Sequence, residues 1–197
     1  NNRIRTLENE EKRERIRILT EVTKLIRPLV PSIAATNHGL GQVDFLRAKA
    51  RLARELKAVA PELHNEPWIN WHNARHAVLY MTFQQQQKSV VPLSLRLDDA
   101  HRILVISGPN AGGKSVCLKT VALLQYMLQC GLLVPMEEDS QAGIFGNLMI
   151  DIGDEQSLMD DLSTYSSHLR NMKQFLRLAD RHSLFLIDEF GSGTEPQ

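Results

Sequence analysis

The sequence contains few cysteines and no long apolar run, and two classes of protein are excluded on those grounds. Cys117 and Cys130 are the only cysteines among 197 residues, and a single pair cannot form the disulfide framework of a small secreted domain. No apolar run is long enough to span a bilayer. The first residues, NNRIRTLENEEKRERIR, contain no apolar core of a secretory signal. We therefore expect a cytoplasmic protein with no membrane partner.

Net charge is also absent, although the charges are unevenly distributed along the chain. Residues 1–60 carry 13 Lys and Arg against 7 Asp and Glu, whereas residues 61–197 carry 10 against 16. A basic first third is compatible with a surface that faces nucleic acid and equally with the solvated outside of a helix. A starting methionine is missing too, and the first residues already have a helical pattern, so we expect a piece of a longer protein.

The first 60 residues have the periodicity of two helices. Apolar residues that include Ile4, Leu7 and Val22 predict a helix over residues 2–27, which Pro28 ends. The segment SIAATNHGLG (32–41) reads as a connector because it holds two glycines. A second helix is predicted over residues 42–59, packed antiparallel to the first. Residues 1–60 are thus a helical segment, residues 61–73 a polar joint and residues 74–197 a second domain.

Beyond the joint, short apolar runs alternate with helical patterns. This alternation predicts an α/β domain whose sheet is mainly parallel at its centre. The predicted helices cover residues 114–129 and the later part of 157–180. The predicted strands cover residues 77–83, 89–97, 102–107, 147–153 and 183–188.

A glycine-rich segment stands between the predicted strand 102–107 and the helix after it. Its residues, GPNAGGKS (108–115), match the phosphate-binding pattern G-x-x-x-x-G-K-[S/T]. Glycines let backbone N–H groups wrap around phosphates, and the positive end of the following helix faces the same anions. Lys114 supplies a mobile cation, and the Ser115 hydroxyl can bind Mg²⁺. The predicted nucleotide contacts are Gly108, Pro109, Asn110, Ala111, Gly112, Gly113, Lys114, Ser115 and Val116.

A pair of acidic residues follows the apolar run LFLI at residues 184–187. Asp188 is predicted to hold the shell of the Mg²⁺ ion, and Glu189 to polarise the attacking water as general base. Two acids after a strand are common, but their distance along the chain from a phosphate loop makes them specific. The doubled acid favours hydrolysis over nucleotide storage, and a signalling GTPase would need an N-K-x-D motif that the sequence lacks.

Three segments together resemble a known family. GPNAGGKS, STYSSH (163–168) and LIDEFGSGTEP (186–196) are similar to the ATPase domain of the DNA mismatch repair MutS family. DIGDEQSLMDDLSTYSSHL (151–169) is more similar to its second bacterial branch, which lacks the mismatch-reading module. That branch is associated with suppression of homologous recombination and, in some bacteria, with rescue of collided ribosomes. The resemblance implies a P-loop NTPase fold of the ABC-ATPase type, a mostly parallel sheet with flanking helices, here truncated at the C-terminus and preceded by a helical lever.

The resemblance also implies the ligands and partners. It implies ATP and Mg²⁺ as cofactors, a homodimer formed through the ATPase domain, and DNA or a ribosome gripped by parts outside this sequence. Asn110 would lie near the γ-phosphate and act with Lys114 and Glu189 in catalysis. Ser163 and Thr164 fall where the family places a signature loop that reaches the partner's nucleotide.

Further residues take their implied roles from the same family. Val90 and Val91 lie where the family packs residues against adenine, although the following VPLS departs from the usual V-P-N-D. GSGT (191–194) matches the turn beside the dimer interface, and residues 1–60 match the lever. Because later parts of the family's domain are missing, we expect the piece to turn over ATP weakly or not at all, whereas the intact protein is an ATPase that also carries an endonuclease module in some members.

Other interpretations stay open beside these. Ser163 and Thr164 could cap a helix, and His168 is interpreted as a surface or interface residue rather than a ligand. An ABC-type ATPase of another class, a transporter subunit or a chromosome-organising protein, uses the same loop and acids but carries an L-S-G-G-Q signature that is absent here. The third alternative is an interaction module with a decayed site. The intact Lys114, Ser115, Asp188 and Glu189 argue against it.

Overall fold

A computed structural model of the chain describes residues 2–109, 112–152 and 161–188, with Asn2 and residues 161–167 described by their main chain alone. The contacts between residues divide the chain into two units, Asn1–Ala48 and Lys49–Gln197.

The first unit is helical throughout its described length. Helix α1 covers Asn2–Ile26, a 3-10 turn follows at Arg27–Leu29, and helix α2 covers Val30–Leu56. The prediction for α1 is confirmed to within a residue, but the predicted connector at 32–41 is wrong because α2 runs through it. A glycine inside a helix costs only about 1 kcal/mol, and Pro31 stands in the first turn of α2, where a missing N–H is tolerated.

The expected antiparallel packing of the two helices is also wrong. Ile26 and Val30, on either side of the 3-10 turn, both have right-handed helical torsions, so the chain does not reverse direction there. The residues that would form the seam stay exposed, as Leu7, Val22 and Leu46 do. Ion pairs between Arg17 and the neighbouring glutamates at i−3 and i+4 support α1 by a few tenths of a kcal/mol each.

The second unit contains a four-stranded mixed sheet. Its strands are β1 (Glu62–His64), β2 (Ile69–Ala74), β3 (Leu93–Leu97) and β4 (Gln141–Gly143), in the order β1-β4-β2-β3. β1 and β4 are parallel, whereas β2 is antiparallel to both of its neighbours and carries a bulge between Trp71 and Ala74. The segment interpreted as a joint thus contributes β1 and most of β2, with Ile69 and Trp71 fully buried.

The segment at residues 77–83, predicted as a strand, is instead part of helix α3, Ala77–Gln85. His76 caps the helix, since its Nδ1 accepts a hydrogen bond from the Leu79 N–H at 3.4 Å. Ala77 is buried and Tyr80 and Met81 pack against the core, which is the i, i+3, i+4 spacing of a helix face. A short apolar run fits the period of a strand as well as that of a helix. Here packing against the core stabilises the helix.

A two-stranded parallel sheet lies between two helices of the same unit. Strands β5 (Asn147–Asp151) and β6 (Ser183–Ile187) pair in register. Helix α4 covers Lys114–Gln129 and contacts both strands, and helix α5 covers Asp161–Leu178. The bounds predicted for α4 are confirmed, β6 ends one residue earlier than predicted and β5 two residues earlier.

Residues 102–107, predicted as a buried strand, form no strand in the structure. Ile103 is 84% exposed and Val105 82% exposed. A strand needs a neighbour for its N–H and C=O groups, and none of the described strands pairs with this segment. The predicted strand 89–97 is confirmed only from Leu93, because the residues before it include Pro92, which has no N–H to donate.

The turn after β3 is organised by one buried carboxylate. Asp98 accepts hydrogen bonds from the N–H groups of Ala100 and His101 and from the Arg96 guanidinium. Burial acts to raise the pKa of Asp98, but these hydrogen bonds, led by that from the His101 N–H, lower it to about 2. The turn therefore holds Asp98 as a charged acceptor.

Candidate functional site

The predicted phosphate loop leads directly into α4. Gly113 is the N-cap of the helix with φ 84°, and Gly108 has φ 146°, so both positions use torsions that residues with a Cβ rarely adopt. The Gly112 N–H donates to the Pro109 carbonyl at 2.9 Å, which closes a turn. Lys114 Nζ donates to the Gly108 carbonyl at 2.6 Å. The lysine ammonium therefore lies over the main chain of the loop.

Helix α4 is held at its far end by two glutamines. Gln125 Nε2 donates to the Gly143 carbonyl at 2.8 Å. Gln129 binds the main chain of Phe145 twice, since its Nε2 donates to the carbonyl and its Oε1 accepts from the N–H, each at 3.1 Å. Phe145 comes just before β5, so the C-terminal end of α4 lies near the beginning of that strand.

The opposite end of α4 then lies toward the carboxyl end of the strands. A helix of 16 residues is about 24 Å long, and a five-residue strand about 16 Å. Val121 and Leu124 of α4 share one core cluster with Leu184 and Leu186 of β6, so the helix packs along the strands as it runs back. This course directs the N-terminal end of α4 toward the edge at which β5 and β6 end.

Two aspartates stand at that edge on neighbouring strands. The Asp188 N–H donates to the Asp151 carbonyl at 2.9 Å, so the ladder continues one residue past β6. Side chains alternate along a strand, and Asp188 therefore shares its face with Leu184 and Leu186, the face packed against α4. Asp151 pairs with Ile187 and lies on the opposite face.

The opposite face is covered by α5. Phe175 of α5 packs edge to face against Phe185 of β6, with ring centroids 6.0 Å apart. Near the start of the helix, His168 Nδ1 lies 2.7 Å from Asp151 Oδ2, and Asn171 Nδ2 donates to Oδ1 at 2.9 Å. The predicted metal carboxylate and the buried Asp151 thus diverge from one strand edge toward two different helices.

Several predicted site residues lie outside the described residues. These are Asn110, Ala111 and Glu189, together with the GSGT turn at 191–194. Ser163 and Thr164 fall in the first turn of α5, so they follow the start of the helix rather than capping it, and the main chain there is helical rather than a loop. Their predicted role across a dimer stays a prediction.

The remaining predicted contacts are only partly enclosed. Ser115 is half-buried, whereas Val116, one residue further along α4, is 44% exposed. Val90 is half-buried and Val91 is 87% exposed, between α3 and β3. The predicted contact of these two valines with adenine stays a prediction.

Sequence reasoning missed the residues that fix the elements around the loop. Gln125 is fully buried within α4. The signal that could have identified it is a glutamine on the apolar face of the helical pattern. His168 was interpreted as a surface or interface residue, yet the structure bonds it to the buried Asp151. The signal for that pair was an acid closing a strand, followed by His and Asn three residues apart on a helix.

Two titratable groups, one within α4 and one at the start of α3, have pKa values that their surroundings shift. Burial raises the pKa of the Cys117 thiol, three residues after Lys114. Burial and then the positive charge of Lys119 lower the pKa of His76, which caps α3. Both groups are therefore held toward the uncharged form near neutral pH.

A separate open cleft of about 760 Å³ lies away from these elements. Its lining includes Lys57, Arg75, His72 and Glu137 and contains none of the predicted site residues. The lining mixes both signs of charge, and the cleft does not bear on the phosphate loop. Within the described part of the chain, no helix has the length and apolarity required to cross a membrane.

Comparison with known proteins identifies the family. The model of MutS domain V matches residues 104–197, the part that contains the glycine loop, β5, α5 and β6. The chain belongs to the MutS family. Curated relatives extend the match over the whole chain and fall in the second bacterial branch, MutS2.

Three curated relatives of this MutS chain carry the same name. The Endonuclease MutS2 of Finegoldia magna is 44% identical over 196 residues, and that of Staphylococcus epidermidis is also 44% identical over 196 residues. The Endonuclease MutS2 of Levilactobacillus brevis is 42% identical over 197 residues. In each case the match covers 100% of this chain but 24% of the relative, so the chain spans about a quarter of their length.

Proposed function

We propose that this chain forms the nucleotide-binding part of an ATPase, and that ATP binding and hydrolysis drive a dimeric clamp on DNA. The observation that supports the proposal is the course of α4, which is anchored at Phe145 and runs back with its N-terminal end directed toward the strand edge that carries Asp188. In α/β proteins ligands bind at the carboxyl ends of parallel strands. The proposal includes a P-loop arrangement of the ABC-ATPase type for this α/β unit.

The chemistry of the donors fits Mg²⁺ and a triphosphate. The Ser115 hydroxyl and the Asp188 carboxylate are the hard oxygen ligands that Mg²⁺ prefers, and Lys114 with the amides of the glycine loop would hold the phosphates. Bound Mg²⁺ would supply neutralisation of phosphate charge. Glu189, next in sequence to Asp188, would accept a proton from the attacking water, and Asn110 would lie at the terminal phosphate.

The proposal also includes dimerisation and DNA binding. Support for DNA comes from the name of the relatives, which is that of an endonuclease. Support for a dimer comes from the position of Ser163 and Thr164 at the start of α5, beside the edge that carries Asp151 and Asp188. A nuclease activity of the full-length protein rests on the same name.

Nucleotide binding tests the proposal directly. We expect Lys114→Ala in the full-length protein to raise the Kd of a fluorescent ATP analogue on the order of 10- to 100-fold, because a charged hydrogen bond to phosphate is worth about 1.5–3 kcal/mol. Lys173→Ala, an exposed lysine on α5, is the matched control and should leave the Kd unchanged. Equal affinities for Lys114→Ala and the wild type would reject the site.

Complementation between variants tests the dimer. Lys114→Ala and Ser163→Ala each abolish both sites of a homodimer if Ser163 acts across the interface. A mixed dimer then holds one site with both residues intact. Because random exchange makes about half of the dimers mixed, ATPase activity should return toward roughly a quarter of the wild-type value on mixing. If Ser163 acts on the nucleotide of its own subunit, no intact site forms and the mixture stays inactive, which would contradict the arrangement.

A further inference from the structure

Asp151 is a buried charge whose carboxylate oxygens both have partners. The residue is 5% exposed at the end of β5. Oδ2 lies 2.7 Å from His168 Nδ1, and Oδ1 accepts from Asn171 Nδ2 at 2.9 Å. Because a carboxylate only accepts, Nδ1 of the histidine carries the proton of this hydrogen bond. His168 and Asn171 are three residues apart and therefore lie on one face of α5.

The same residue also binds the strand that carries the predicted metal ligand. The Asp151 carbonyl accepts from the Asp188 N–H at 2.9 Å. The side chain of Asp151 thus binds α5, and the main chain of Asp151 binds the main chain of Asp188.

Packing alone does not require a charge at this position. Met149, two residues earlier on the same face of β5, is buried and apolar, and Phe175 packs on the same side of the sheet. A buried carboxylate costs free energy unless it is fully hydrogen-bonded, but its hydrogen bonds are directional. The pair of bonds therefore fixes the position of α5 along the strands, which apolar contacts allow to slide.

We propose that Asp151 is a positioning residue that, through His168 and Asn171, sets the start of α5 relative to Asp188. The start of α5 carries Ser163, five residues before His168 and about 7.5 Å along the helix axis. The inference rests on the proposed function, since it assigns to Asp151 the alignment of Asp188, in the ATPase site of its own subunit, with Ser163, in the ATPase site of the partner. Nucleotide affinity is assigned to α4 on the other face of the sheet.

The test separates rate from affinity in the full-length protein. We expect His168→Leu to lower kcat for ATP hydrolysis on the order of 10- to 100-fold, the usual effect of losing a residue that orients a metal-site group. The KM for ATP and the Kd of the ATP analogue should change less than about threefold, which corresponds to ~0.7 kcal/mol. His168→Asn, whose amide can donate from nearly the same position as Nδ1, should recover most of kcat.

Phe175→Leu is the matched control, because it weakens the same helix–sheet contact without touching the hydrogen bonds. It should lower the urea midpoint of unfolding but keep kcat. The proposal is overturned if His168→Leu keeps kcat, if kcat and affinity fall together, if His168→Asn is as slow as His168→Leu, or if Phe175→Leu is equally slow. Failure of the proposed function is distinct, since the wild type itself would then neither bind the analogue nor hydrolyse ATP.

Discussion

Gly143 in β4 is the position at which a single methyl group should be most costly. A Cβ built there lies 2.2 Å from the Glu66 carbonyl oxygen and 2.2 Å from the Trp68 nitrogen. Ordinary contact begins at 3.4 Å, so the main chain would have to separate by more than 1 Å. Both obstacles are main-chain atoms, and no side-chain rotation can relieve the contact.

The expected cost follows from what that separation breaks. The Gly143 N–H donates to the Trp68 carbonyl and the Ile144 N–H to the His64 carbonyl, and the loss of each bond costs about 1 kcal/mol. Overpacking adds about 1–3 kcal/mol. Gly143→Ala should therefore destabilise the chain by about 3–5 kcal/mol, which lowers a urea midpoint by about 1–3 M.

Gly146 provides the matched control three residues later. Its Cβ would meet His182 at 3.6 Å, an ordinary contact, and Gly146→Ala should change stability by less than about 0.5 kcal/mol. Urea unfolding of both variants, followed by tryptophan fluorescence, compares them directly. If the two variants unfold at the same urea concentration, the close approach of β4 to residues 66–68 is refuted.

Three further predictions test other parts of the chain. Gly41→Ala in α2, where a Cβ meets nothing within 4 Å, should stabilise the helix by about 1 kcal/mol and slow hydrogen exchange of its amides. Asp98→Asn should be less stable than the wild type at pH 7. Folding lowers the pKa of Asp98 from 3.8 to about 2. The urea midpoints of the two proteins should therefore converge as the pH falls from 4 toward 2. Cys130 is exposed and Cys117 half-buried with its pKa raised, so a thiol reagent at pH 8 should label Cys130 several-fold faster, and equal rates would contradict the burial of Cys117.

Local sequence rules predicted the elements whose signals are themselves local. The bounds of α4 follow from a glycine N-cap and the helical pattern after it, and β6 follows from an apolar run that ends at Asp188. These segments need no information from distant parts of the chain. The pairing of β5 with β6 also follows, since two such runs separated by a helix favour a parallel pair.

The elements that were predicted wrongly depend on distant partners or on small energy differences. The apolar pattern of residues 77–83 fits a helix as well as a strand. The cap from His76 and the core contacts of Tyr80 favour the helix. Gly39 and Gly41 read as breakers, although their cost is small within a helix of 27 residues. Residues 102–107 have the composition of a strand but no described strand that pairs with them.

The chemistry of the candidate site is a prediction from the sequence, whereas the residues that support the site are visible only in the structure. Lys114, Ser115 and Asp188 are recognisable because phosphate and Mg²⁺ demand particular donors in a particular order. No such demand identifies Gln129 or Asp151, whose partners are 16 and 17 or more residues away and become neighbours only through the fold.

The two faces of the β5–β6 pair therefore have different roles in the proposed site. Asp188 extends toward α4, whose loop would bind phosphate, whereas Asp151 extends toward α5, whose first turn would complete the site of a partner. Both aspartates belong to one edge joined by a single main-chain hydrogen bond of 2.9 Å. A shift of α5 is thus transmitted to Asp188 through the main chain, without passing through the phosphate loop. Loss of the hydrogen bonds between Asp151 and α5 should therefore lower the rate of turnover, whereas loss of Lys114 from the phosphate loop should lower the affinity for nucleotide.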